Sequence, residues 1–293
     1  MSSVAVVGAG AWGTALAVHA ARAGHDVTLW ARNPASIVAG VNPRLSGASL
    51  GGVRITATLP GPADAIVLAV PTQYMRAILT GWAPAGPVVL CMKGIEAGSL
   101  MLPSEVLSAL HPGTGAAILT GPNFAHEVAA GLPAAAIVAG PGRDAMIALL
   151  ASPNFRLYGN DDPVGAQLGG AAKNVIAIAA GAVMGRGLAE LSRLVVALGG
   201  RAETVAGLSG LGDLLLTCTG GSSRNYAYGH ALGAGQMPGG TGVVEGVATA
   251  PALIARAAGI ELPVCTAVAG LIAGRLTIDD AVAQLLARPR RDE

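Results

Sequence analysis

The sequence predicts an α/β protein in two parts, a doubly wound parallel sheet followed by an all-helical region. Three observations carry that prediction. The first half alternates short apolar runs, at 4–7, 27–30, 65–70, 88–92, 117–119 and 135–138, with stretches of helical composition. Strands that read as unbroken apolar runs are those buried on both faces of a parallel sheet. The first run leads into a glycine-rich turn, G-A-G-A-W-G at 8–13, and then into a helical segment. From about Val164 the strand signals give way to long Ala/Leu/Val-rich helical segments. The expected division is residues 1–163 and 164–293, with no flexible linker between them.

A chain of 293 residues is long enough for about two domains. Its 18 basic and 17 acidic side chains leave a formal charge of +1, which offers no general basic face for nucleic acid and favours a small-molecule substrate. Uncharged stretches such as 106–125 contain Pro, Gly, Asn and His, where a membrane helix would be uniformly apolar, so no stable membrane insertion is expected. The opening M-S-S-V-A-V-V runs straight into a strand without a basic leader, and no signal peptide is expected. Cys91, Cys218 and Cys265 have neither metal-ligand spacing nor an even count. They predict no metal and a reducing, cytoplasmic setting. The glycine-rich stretch 233–242 reads as a mobile loop, and the charged tail 288–293 as frayed.

The glycine turn gains its meaning from context, because G-x-G-x-x-G after a first strand and before a helix is the dinucleotide-binding arrangement of a Rossmann domain. Gly8 allows the tight turn, Gly10 lets a pyrophosphate approach the backbone, and Gly13 lets the helix pack close to the strand. The helix N-terminus then faces the phosphates. The second strand ends in W-A-R-N at 30–33, without the Asp or Glu that an NAD-selective site places there. Arg32 in its stead suits an adenosine 2′-phosphate, which tilts the cofactor toward NADP and leaves NAD open; Arg32 also reads as an ordinary surface cation.

Two lysines interrupt apolar surroundings. Lys93 follows the run 88–92, at the carboxyl end of a predicted strand where open sheets bind ligands, and Lys173 sits in G-G-A-A-K-N-V-I-A-I. Either one alone also reads as a snorkelling side chain. Partial burial of Lys173 would lower its pKa toward a range useful for exchanging a proton with a substrate hydroxyl, with Asn174 or Asp213 to orient it. The loop G-P-N-F-A, with Gly121, Asn123 and Ala125, offers backbone donors beside the same end of the sheet. His126 reads as an acid/base or as a surface residue. The run V-V-E-G at 243–246 would bring Glu245 to a cofactor hydroxyl or reads as a helix start. The stretch 207–225 concentrates turns, one acid and an anion-binding cluster. There Gly207, Gly210 and Gly212 would permit backbone shapes closed to other residues, and Ser222, Ser223, Arg224 and Asn225 would open a helix suited to a phosphate.

The order of these motifs resembles the bacterial NAD(P)-dependent glycerol-3-phosphate dehydrogenase family over nearly the whole chain. G-A-G-A-W-G-T-A-L-A, L-A-V-P, K-G-I, G-P-N-F-A, Q-L-G-G-A-A-K-N-V-I-A-I, R-G-L-A-E-L-S-R-L, G-L-G-D-L-L-L-T-C-T with S-R-N, and V-V-E-G carry the resemblance. It implies a Rossmann-like domain at 1–163 and a helical, 6-phosphogluconate dehydrogenase C-terminal-like substrate domain at 164–293. Also implied are an NADP or NAD cofactor, a homodimer, and interconversion of dihydroxyacetone phosphate and sn-glycerol 3-phosphate for phospholipid synthesis.

The same resemblance implies that Lys173 is the proton donor and acceptor, with Lys93 and Asp213 beside it. Lys93, Gly121, Asn123, Asn174, Asp213, Ser223, Arg224 and Asn225 would line the substrate site. Gly8, Gly10, Ala11, Trp12, Gly13, Arg32, Lys93, Ala125, Arg224, Val243 and Glu245 would contact the cofactor. Two departures stand out. Asn123 occupies a place where relatives carry Ser or Thr. The chain is also shorter than the family pattern at 42–55, before Val243, and after Lys173, where 178–185 runs directly into R-G-L-A-E, so that two helices must fuse or turn abruptly. Rival readings of the residues are a catalytically silent nucleotide-binding homologue and a hydroxyacid or 6-phosphogluconate dehydrogenase-like enzyme.

Overall fold

A computed structural model describes residues 1–179, 184–219, 223–236, 238–239 and 242–287. Ser222, the tail 288–293 and part of the loop 233–242 lie outside the described residues.

The sheet has eight strands in the order β3-β2-β1-β4-β5-β6-β7-β8: β1 (Ser3–Val7), β2 (Asp26–Trp30), β3 (Val53–Thr56), β4 (Ala65–Leu68), β5 (Val88–Leu90), β6 (Ala116–Thr120), β7 (Ala134–Ala139) and β8 (Phe155–Asn160). All neighbours run parallel except β6 and β7. The all-parallel expectation therefore holds up to β6, and the last two strands run the other way.

Every strand predicted from an apolar run is present, and the two that were not, β3 and β8, are the two edges. Their sequences, V-R-I-T and F-R-L-Y-G-N, interleave polar residues. An edge strand leaves part of its surface in water and carries no continuous apolar signature.

The interior strands bury both faces. On β1, Val4 and Val6 join one core with Leu16 of α1 (Ala11–Arg22), while Ala5 and Val7 join a second core. That second core takes Met75 and Leu79 from α2 (Thr72–Thr80) and Leu107 from α3 (Pro103–Leu110). Two short helices, α4 (Ala125–Ala130) and α5 (Arg143–Leu150), complete the layers.

From Pro163 onward the regular elements among the described residues are all helical: α6 (Pro163–Ala179), α7 (Met184–Ala197), α8 (Ala202–Ala206), a π turn (Leu208–Gly212), α9 (Asp213–Thr219), α10 (Arg224–Gly233), α11 (Glu245–Arg256), α12 (Pro263–Ile272) and α13 (Ile278–Leu286). Helix α6 is the axis of this region and is buried along nearly its whole length. It packs so tightly because its neighbours meet it with glycines. A Cβ on Gly229 of α10 would land on the Ile178 carbonyl, and one on Gly246 of α11 on the Asn174 carbonyl. Helices α6 and α7 are separate and packed together, Gly187 lying against Ile176. Of the shortened junction 178–185, residues 180–183 lie outside the described residues.

Candidate active site

The glycine turn is built as its sequence requires. Gly8 has a φ of +120°, in the region that favours glycine, and a Cβ there would stand 2.7 Å from the Ala69 carbonyl oxygen at the end of β4. A Cβ on Gly13 would land on the Gly8 carbonyl oxygen, so this residue must be bare for α1 to dock on β1. Gly10 is different: nothing lies within 4 Å of where its Cβ would be. Gly10 also N-caps α1 without a side-chain hydrogen bond, which leaves the first N–H groups of the helix without a cap. An open cradle beside uncapped donors fits a dinucleotide pyrophosphate. Ala11 and Trp12 form the first turn, and Ala125, the first residue of α4, packs against the same apolar cluster.

A trio of charges from three distant segments stands at the carboxyl end of the sheet. Lys173 on α6 donates from Nζ to Asp213 Oδ1 at 2.7 Å, and Lys93, following β5, donates to Asp213 Oδ2. Lys93 also donates to the Gly121 carbonyl oxygen at 3.1 Å. The Asp213 and Lys173 side chains are 2% and 9% exposed, whereas Lys93 keeps 22%. The carboxylate is thus buried behind two ammoniums, one of which faces outward. Burial is the largest influence on Lys173 and brings its pKa down to about 8; the Lys93 charge pushes the same way, and Asp213 opposes both. Burial alone would raise the Asp213 carboxyl, but Lys173 and Lys93 together hold it below its usual range. Two cations against one anion leave a net positive centre suited to an anionic substrate.

Thr217 belongs to this centre and was not among the residues singled out in the sequence. Its hydroxyl accepts from Lys173 Nζ at 2.6 Å and donates to the Asp213 carbonyl at 2.6 Å. The available signal was its position four residues after Asp213, which puts both side chains on one face of α9.

The remaining residues take places that the sequence left open. Asp213, not Asn174, is the partner of Lys173. The Asn174 carboxamide instead donates to the Lys93 carbonyl at 3.3 Å and accepts from Asn225 Nδ2 at 2.8 Å. Asn225 Oδ1 in turn accepts from the Gly246 N–H at 2.9 Å. This buried chain ties β5, α6, α10 and α11 together. Ser223 Oγ caps α10 by accepting from the Tyr226 N–H at 3.2 Å, and Arg224 beside it is exposed.

Gly121 contributes an acceptor rather than a donor, and a Cβ on it would stand 2.8 Å from Ala136 Cα. Asn123 donates to the Ala135 carbonyl at 2.9 Å. Gly207, Gly210 and Gly212 lie outside the left-handed region, which corrects the expectation of special backbone shapes there. Gly210 is bare because a Cβ would land on the Val205 carbonyl, and Pro122 lies 3.6 Å from the corresponding point on Gly212. Close approach, not turn geometry, is what Gly210 permits, whereas a Cβ on Gly207 or Gly212 would meet only ordinary contacts. His126 is exposed and stacks on Phe124 with ring centres 5.6 Å apart, away from the charged trio's hydrogen bonds.

At the start of α11, after Val243, burial pushes the Glu245 carboxyl up to about 7 against the pull of Arg224, and its Oε2 has no partner. Arg224 approaches this segment at Gly242, whose missing Cβ would stand 2.8 Å from the guanidinium. The three cysteines are free and buried. Among the described residues no helix is long and apolar enough to cross a membrane.

Two family models match the chain, the NAD-dependent glycerol-3-phosphate dehydrogenase N-terminus over residues 3–146 and its C-terminus over residues 162–283. A glycerol-3-phosphate dehydrogenase (NAD(P)+) of Caulobacter vibrioides is 49% identical, with 99% of this chain and 98% of that protein covered. That alignment extends over 327 positions against the 293 residues of this chain, so the relative carries stretches that this chain lacks. The corresponding protein of Acidiphilium cryptum is 50% identical, with 99% and 98% covered. Among solved structures, the glycerol-3-phosphate dehydrogenase (gpsA) of Coxiella burnetii superposes with a TM-score of 0.89 at 31% identity, covering 98% of this chain and 99% of that one.

Proposed function

The chain belongs to the NAD-dependent glycerol-3-phosphate dehydrogenase family, and from that premise we propose which of its side chains carry the reaction. The protein is an NAD(P)-dependent oxidoreductase interconverting dihydroxyacetone phosphate and sn-glycerol 3-phosphate, which supplies glycerol 3-phosphate for phospholipid synthesis. The observation that carries the residue assignment is the sharing of Asp213 by Lys173 and Lys93.

Lys173 is the acid/base. With its pKa brought to about 8, it holds a proton to give to the C2 oxygen during reduction and readily exists as the free amine that takes the proton during oxidation. Lys93, the more exposed ammonium, polarises the carbonyl from the solvent side. Asp213 keeps both ammoniums aimed at one point, and Thr217 fixes the rotation of Lys173. Arg224 grips the phosphate with Ser223 and Asn225 around it, and Gly121, Asn123 and Asn174 shape the remaining wall. Binding energy at the phosphate, remote from the reacting carbon, is used to fix the carbon's approach. Gly8, Gly10, Ala11, Trp12, Gly13, Arg32, Lys93, Ala125, Arg224, Val243 and Glu245 hold NADP or NAD. The nicotinamide, when bound, supplies or accepts the hydride.

The domain division at 163/164, a homodimer and a cytoplasmic location complete the reading. The division is supported by the change from strands to helices at Pro163, and the dimer by the exposed apolar side chains of Ile278, Val282 and Leu286 on α13.

Reduction of dihydroxyacetone phosphate, followed by oxidation of NADPH, tests the assignment. Turnover by the wild type and its loss in Lys173→Met, with dinucleotide binding retained, is the expected result. Dinucleotide binding without turnover by the wild type would refute the assignment.

A further inference from the structure

The chain's selectivity between NADP and NAD bears on a contact that lies outside the charged trio. The Arg32 guanidinium carbon stands over the Tyr74 ring at 6.0 Å from its centroid. Arg32 is two residues beyond β2, and Tyr74 lies in the first turn of α2, beyond β4. In the sheet β1 separates β2 from β4. The contact therefore bridges the carboxyl end of β1, the strand that leads into Gly8 and Gly10. Both side chains are exposed, Tyr74 to 50%.

We propose that Tyr74 positions Arg32 for a 2′-phosphate and thereby sets a preference for NADP over NAD. This rests on the reading of Arg32 as the 2′-phosphate ligand. The physical reason is the shape of the guanidinium: its face binds an aromatic ring while its in-plane N–H groups stay free to donate to phosphate oxygens. A ring can therefore hold the cation without consuming a donor. An unrestrained exposed arginine loses side-chain freedom when it takes a phosphate, and a ring that already confines it removes part of that cost. Among the described residues no carboxylate pairs with Arg32, so Tyr74 is the restraint the structure provides. A nucleotide lacking the 2′-phosphate makes no use of the arrangement, and the effect is selective.

Calorimetric titration of the full-length protein with 2′,5′-ADP and with 5′-AMP tests this without turnover. The wild type is expected to bind 2′,5′-ADP more tightly, and Arg32→Ala to lose most of that margin. Tyr74→Leu should narrow the ratio of the two dissociation constants by about two- to fivefold, the range for an exposed cation–π contact. Tyr74→Phe should keep the ratio, and Tyr74→Leu should change nothing further in an Arg32→Ala background. An unchanged ratio in Tyr74→Leu, or equal weakening of both nucleotides, overturns the proposal while leaving Arg32 as the ligand. An unchanged ratio in Arg32→Ala overturns the assignment of Arg32 as well.

Discussion

Lys173 donates to Asp213 Oδ1 at 2.7 Å with both side chains almost closed off from solvent, 40 residues apart in the chain. Neither charge is tolerable there alone. A buried ion that loses its partner leaves the other uncompensated, and this asymmetry governs how the site responds to substitution.

Replacing Asp213 with Asn is expected to be severe in two measurable ways. Two ammoniums would face each other without an anion between them, costing about 3–5 kcal/mol of stability in urea unfolding. With Lys173 no longer oriented, kcat should fall by about a hundredfold or more. A variant with near wild-type kcat would remove Asp213 from the catalytic arrangement.

The pH dependence should have opposite signs in the two directions. With Lys173 as the proposed acid, reduction uses its protonated form, so kcat/KM for dihydroxyacetone phosphate is expected to fall as pH rises through about 8. With Lys173 as the proposed base, oxidation uses the free amine, so kcat/KM for glycerol 3-phosphate is expected to rise through the same pH. Removing Asp213 deletes the interaction that raises the Lys173 pKa, and whatever activity remains should show both limbs displaced to lower pH. Parallel rather than opposed limbs would assign the proton to another group.

Gly10 and Gly13 should separate cofactor binding from folding. A side chain at Gly10 meets open space, so Gly10→Val is expected to leave the thermal midpoint within a few degrees while weakening NADPH binding by at least about tenfold. Gly13→Ala drives a methyl into the Gly8 carbonyl and should cost about 1–3 kcal/mol or more in stability. Fluorescence titration and calorimetric unfolding of the two variants check the contrast.

Asn225→Ala is expected to act on the fold as well as on substrate affinity. It strips a donor from Asn174 Oδ1 and an acceptor from the Gly246 N–H, both buried. Each unsatisfied group costs about 1–3 kcal/mol, so the denaturation midpoint should drop along with a rise in KM. A raised KM at unchanged stability would show Asn225 acting on substrate alone.

The legible parts of the sequence were those whose meaning is local. G-A-G-A-W-G needs only the strand before it and the helix after it to be interpreted, and Gly8 and Gly13 make the tight turn and the close helix packing that their positions require. The interior strands were legible because burial on both faces writes an unbroken apolar run. Strands β3 and β8 were not, because at the edges that condition lapses. Of the glycines at 207, 210 and 212, only Gly210 is required, and the requirement comes from the Val205 carbonyl crowding it and not from its own dihedral angles.

By itself, then, the sequence determined the fold class, the cofactor turn and the identity of the unusual charges, because each is set by periodicity or by a residue's intrinsic chemistry. Only the tertiary structure decided which partner each charge has. Asn174 adjoins Lys173 in sequence, yet successive helical side chains point in different directions, so Lys173 meets Asp213 and Thr217 while Asn174 turns to Lys93 and Asn225. Burial and the Lys93 charge at the end of β5 bring Lys173 down to a pKa of about 8, while Asp213 on α9 pulls it the other way. An interaction set by distance in space is absent from the spacing along the chain.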